Sequence, residues 1–77
     1  MNIEIYSKDN CPFCDKAVFL AEQLVKKSHH EYVVHKLGVD FQMSDMLELF
    51  PTARTFPQIV LDGKNIGGYT EFSQLIK

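Results

Sequence analysis

The chain has 77 residues, 45% apolar and 23% charged, with a formal net charge of −2. That leaves room for one domain over residues 1–77 and argues against a disordered polyelectrolyte or the basic footprint of a nucleic-acid binder. Its two cysteines, Cys11 and Cys14, are too few for a disulfide-stapled miniprotein and too close together to close a long loop, which leaves redox chemistry or a metal.

Met1–Ile5 has neither the basic start nor the apolar run of a secretory signal, and no stretch approaches a membrane span, so a reducing cytoplasm is the expected address. Ile3, Ile5 and Tyr6 precede the polar Ser7–Asn10 and predict a strand over residues 2–6. From Pro12 the period changes. Phe13, Ala17, Leu20, Ala21 and Leu24 recur on one face of a helix. Pro12 suits the first helical position, and Lys26, Lys27, His29 and His30 suit the negative end of the dipole. Residues 31–37 read as a second strand. Asp40 is expected to cap a second helix, in which Met43, Met46, Leu47 and Phe50 form a core stripe before Pro51 stops it.

Residues 58–61 predict a third strand, and Asp62-Gly63 a type I′ turn into a returning strand over 64–66. Gly67-Gly68 then breaks the pattern, and Thr70 is expected to cap a last helix carrying Phe72, Leu75 and Ile76. The order is β-α-β-α-β-β-α. The first two strands should be parallel through a right-handed crossover, and the last two an antiparallel hairpin. The fold class is therefore α/β, thioredoxin-like, with a mixed four-stranded sheet flanked by three helices.

Cys11-Pro12-Phe13-Cys14 lies where the first strand hands over to the first helix. At such a junction Cys11 meets unpaired backbone N–H groups and the positive dipole end, which favours its thiolate. Cys14 is one helical turn on, within reach of a mixed disulfide at Cys11 and less accessible. Lys8 adds a positive charge nearby, opposed by Asp9 and Asp15. The rival to a redox pair is zinc, since Cys11, Cys14, His30 and His35 satisfy the loose spacing of a zinc finger. A helix of about 18 residues would hold its ends roughly 27 Å apart, however, which separates His30 from the thiols.

Together with Thr55-Phe56-Pro57 and Gly67-Gly68-Tyr69-Thr70-Glu71-Phe72, the cysteine motif resembles the glutaredoxin family, which typically carries C-P-Y-C, T-V-P and G-G in this order. The chain is most similar to the short dithiol glutaredoxins of bacteria and their phages. The resemblance implies catalysis by Cys11 and Cys14, with no metal and no permanently bound cofactor, and glutathione as reducing co-substrate. It further implies a cis Pro57 facing the Cys11 sulfur and a Phe56 backbone that pairs with the cysteinyl part of glutathione.

Thr70, with Gly68 and Tyr69 beside it, matches the position that holds the γ-glutamyl carboxylate. Lys8 matches a basic position for the glycyl carboxylate, with Arg54 across the groove and Phe13 and Thr55 on its walls. Phe13 and Phe56 stand where the family usually has tyrosine and valine, which predicts a narrower groove or an aromatic surface shared by the two rings. Disulfide-bearing proteins, ribonucleotide reductase among them, are the implied partners, and the protein is expected to act as a monomer. An iron–sulfur carrier bridging two chains is the alternative, although such members usually have serine where Cys14 stands.

Overall fold

Alternation along the first strand sets the layers. The computed structural model describes residues 1–51 and 55–75, and among these the chain forms four strands and three helices. Strand β1 (Asn2–Ser7) turns Ile3 and Ile5 into one face of the sheet, where they are 1% and 0% exposed. Tyr6 faces the opposite way and joins a second core. β2 (Glu31–Lys36) runs parallel to β1, with Ile3 opposite Tyr32 and Tyr6 opposite His35. β3 (Gln58–Leu61) runs antiparallel to β1, and β4 (Lys64–Gly67) antiparallel to β3, giving the order β2-β1-β3-β4. Asp62 and Gly63 close the hairpin with φ of 49° and 84°, the positive values a type I′ turn demands.

Helix α1 (Pro12–Lys27) is 16 residues long, shorter than expected, so His29 and His30 lie beyond its end. Its buried residues are Cys14, Ala17 and Ala21. The two alanines let the helix lie close to Ile3, Ile5 and Ile59, with Leu20 and Leu24 half-buried beside them. Centring the buried face on these small residues carries Phe13 to the rim, where it is 53% exposed rather than part of the core stripe.

Helix α2 (Met43–Leu49) lies on the other face and corrects two expectations. Its cap is Gln42, whose N–H donates to the Asp45 carboxylate at 2.9 Å. Asp40 instead accepts the Lys36 N–H at 2.9 Å and turns the chain out of β2. Met46 and Phe50 are buried, but Met43 and Leu47 are exposed. A two-turn helix buries only a narrow strip here, and Phe41, ahead of it, fills the remaining space against Val60, Tyr6 and Phe56.

Helix α3 (Tyr69–Leu75) packs beside α1, with Phe72 wholly buried. It begins two residues earlier than a Thr70 cap implies, which makes Thr70 its second residue, not its cap. Gly68 precedes it, and its carbonyl accepts the Phe72 N–H at 3.0 Å. Leu75 is exposed, not core; the remaining expected contact, Ile76, lies outside the described residues.

Candidate active site

The polar turn after β1 delivers the cysteines. Asn10 adopts φ 54°, a left-handed conformation asparagine tolerates, and Cys11 follows in extended backbone as the cap of α1. Its sulfur accepts the backbone N–H of Cys14 at 3.2 Å, and its carbonyl accepts that of Asp15 at 3.1 Å. Cys11 and Cys14 are joined as a disulfide, with their Cα atoms 5.2 Å apart. Both are buried, Cys14 more deeply than Cys11. A thiol at the Cys11 position thus sits against free helix-end donors, where negative charge on sulfur is stabilised.

Beside this helix start runs an open groove of about 260 Å³. One wall is Thr55, Phe56 and Pro57, and the other is Gly68, Tyr69 and Thr70, with Phe13 from α1 between them. Seven residues singled out in the sequence therefore meet in one place. The Phe56–Pro57 peptide bond is cis. Buried Gln58 braces this loop by donating its side-chain amide to the Thr55 carbonyl at 2.9 Å. The two walls approach closely at Gly68, where an added Cβ would lie 3.4 Å from the Pro57 carbonyl oxygen.

Phe13 and Phe56 both line the groove, but each ring packs on a different partner. Phe13 tilts against Tyr69, with centroids 6.0 Å apart, whereas Phe56 turns inward toward Phe41 at 6.3 Å. Lys8 places its ammonium 5.7 Å from the Phe56 ring centroid, which ties this exposed cation to the groove loop. Of the acids expected to oppose it, Asp9 is engaged by Lys36 at 2.7 Å. The hydrogen bond and charge of Asp9 push the Lys36 ammonium above its ordinary pKa. Arg54 lies outside the described residues.

The histidines do not join the cysteines. His35 stacks on Tyr6 at 4.6 Å, and its Nε2 lies 3.2 Å from a Glu4 carboxylate oxygen. Among the described residues no three His, Cys, Asp or Glu side chains converge as a metal site would require, and no helix is long and apolar enough to cross a membrane. Two residues of the site, one in the groove and one behind it, escaped sequence reasoning. Glu71 lines the groove and accepts the Gly68 N–H at 2.9 Å, a helix-start bond foreshadowed by glutamate three residues after Gly68. The bracing role of Gln58 left no signal, because a polar residue at a strand start is ordinary.

Over residues 3–66 the chain matches the family model described as Glutaredoxin. It is 36% identical to a glutaredoxin of Haemophilus influenzae over 81 aligned positions, covering 100% of this chain and 92% of that protein. It is 32% identical to glutaredoxin 1 of Escherichia coli, covering 100% of this chain and 94% of that one. The structure superposes on oxidised Escherichia coli glutaredoxin with a TM-score of 0.85 at 30% identity, over 100% of this chain and 94% of the other.

Proposed function

The chain belongs to the glutaredoxin family, a family of thiol–disulfide oxidoreductases, and on that premise we propose that it reduces protein disulfides and protein–glutathione mixed disulfides at the expense of glutathione. The observation that carries this reading is the Cys11–Cys14 pair at the start of α1, beside a groove walled by the cis-Pro57 loop and the first turn of α3.

In the proposed cycle the Cys11 thiolate attacks one sulfur of the substrate disulfide. A new S–S bond joins it to that sulfur, and the other sulfur leaves as a thiolate that takes up a proton. The Cys14 thiolate then attacks the Cys11 sulfur and releases the second substrate thiol. Two electrons have passed from the dithiol to the substrate, leaving the Cys11–Cys14 disulfide. One glutathione thiolate reopens that bond as a mixed disulfide on Cys11. A second displaces glutathione disulfide and restores the dithiol.

The backbone of Phe56 pairs with the cysteinyl part of glutathione as an added strand would. Thr70, with Gly68 and Tyr69, receives the γ-glutamyl carboxylate, and Lys8 and Arg54 serve the glycyl carboxylate. Phe13 and Thr55 wall the bound tripeptide. No metal or resident cofactor takes part. The protein acts as a cytoplasmic monomer, and ribonucleotide reductase is its proposed protein substrate.

The test is a coupled assay on a glutathionylated protein, with glutathione, glutathione reductase and NADPH, then with thioredoxin reductase in place of the glutathione system. Turnover should require glutathione, vanish in Cys11→Ser and persist in part in Cys14→Ser. Full activity of Cys11→Ser would sink this mechanism.

A further inference from the structure

On the far side of the Phe13–Tyr69 pair lies a second, shallow hollow of about 500 Å³ between α1 and the start of α3. Its floor is Phe19, Leu20 and Tyr69, and its rim is Asp15 and Lys16. Phe19 is 63% exposed and, with Leu20 and Tyr69, makes a contiguous apolar patch. Tyr69 belongs both to this hollow and to the groove, so the two form one continuous surface that leads away from the cysteines. The Lys16 ammonium, 5.0 Å from the Phe13 ring centroid, stands at the divide.

We propose that this hollow receives an apolar side chain of the polypeptide whose disulfide is being reduced. The inference rests on the oxidoreductase reading above and adds to it a determinant of protein-substrate choice. Glutathione, a charged tripeptide, has no apolar side chain to place there and is accommodated by the groove. A polypeptide linked to Cys11 must leave the groove, and the surface it meets next beyond Phe13 and Tyr69 is this one. Phe19 lies eight positions along α1 from Cys11, about 12 Å at 1.5 Å rise per residue. An extended substrate at about 3.3 Å per residue covers that span in roughly four residues. The favoured apolar residue is therefore about three to five positions from the reacting cysteine, on one side of it.

Glutathionylated serine-rich peptides, carrying a single phenylalanine at each position in turn on either side of the cysteine, test this in the coupled assay. The wild-type protein should show kcat/KM raised about three- to tenfold at those positions. Phe19→Ser should abolish that preference while reducing the small mixed disulfide of hydroxyethanethiol and glutathione at the wild-type rate. A flat wild-type scan, a preference that survives Phe19→Ser, or an equal loss on the small disulfide overturns the proposal. So does a Phe19-dependent dimer in sedimentation, which would assign the hollow to a second copy. A wild-type protein that turns over none of these substrates with glutathione refutes the oxidoreductase reading instead.

Discussion

Phe72→Ala should cost this domain about 3–5 kcal/mol, the range for deleting a fully buried phenyl ring. Phe72 is 0% exposed and is the largest wholly buried side chain, set among Ile3, Ile5, Ile59, Ala17 and Ala21. Its neighbours are strand residues and alanines, which have little reach to close the void, so the cavity cost adds to the lost transfer energy. For a chain of this length the whole stability is about 4–12 kcal/mol. One ring thus accounts for about a quarter or more of it.

Urea unfolding followed by circular dichroism measures the loss. At about 1 kcal/mol per molar urea the midpoint should fall by about 3 M or more. Because Tyr69 lies one helical turn before Phe72 and forms part of the groove wall, KM for glutathionylated substrates should rise in the variant while it is still folded. Phe19→Ala deletes the same atoms from a ring that is 63% exposed and should stay within about 0.5 kcal/mol of the parent. Equal losses in the two variants, or a Phe72→Ala loss below about 1 kcal/mol, would refute this account of the core.

In Cys14→Ser the backbone N–H that reaches the Cys11 sulfur is untouched, so alkylation of Cys11 at neutral pH should stay within about threefold of the reduced parent; a tenfold fall would show that the Cys14 side chain, not its backbone, activates Cys11. Gly67→Ala should destabilise by about 1–3 kcal/mol in thermal unfolding. Its φ is +109°, and the new Cβ would lie 2.8 Å from the Glu71 oxygen that holds the Gly68 N–H; an unchanged melting temperature contradicts this. Burial, and after it the Glu4 carboxylate, raises the Tyr6 phenol above its ordinary pKa. A raised acid contributes stability that is whole below its unfolded value of about 10 and is lost as pH climbs through the folded value. The melting temperature should therefore drop above about pH 10, and Tyr6→Phe should flatten the drop, with Tyr32 and Lys36, also raised, leaving a residual slope. An identical slope in the variant counts against the Tyr6 contribution.

Much of this was legible because period and punctuation agreed. Ile3 and Ile5 alternate as a strand must, and Asp62-Gly63 names its own turn. Ala17 and Ala21 mark the closest helix–sheet approach. The misreadings share a cause. Helical spacing says which residues share a face but not how wide a strip is covered, so it groups Met43 and Leu47 with Met46 although only Met46 of the three is buried. Phe13 failed for a related reason: Cys14, small and apolar, took the first buried position of α1. Asp40 and Thr70 are good capping residues by chemistry, but one is spent on the turn after β2 and the other sits inside α3. The site was more readable than the packing around it, since a close-approach glycine and a proline loop are visible as residue types. Gln58 was not, because its hydrogen bond depends on the turn it braces.

The strand order has a consequence for how the chain is made. β1 is flanked by β2 on one side and β3 on the other, yet residues 8–57 separate Ser7 from the first residue of β3. At about 5–20 residues per second, synthesis of that stretch takes several seconds. Once Lys36 has been made, β1, α1 and β2 can dock as a unit while the second edge of β1 stays open. Such an edge is a template for another nascent chain. The half-made protein is thus more prone to sticking than the finished one. The interval ends only when Gln58–Leu61 arrives and seals the sheet from within the same molecule.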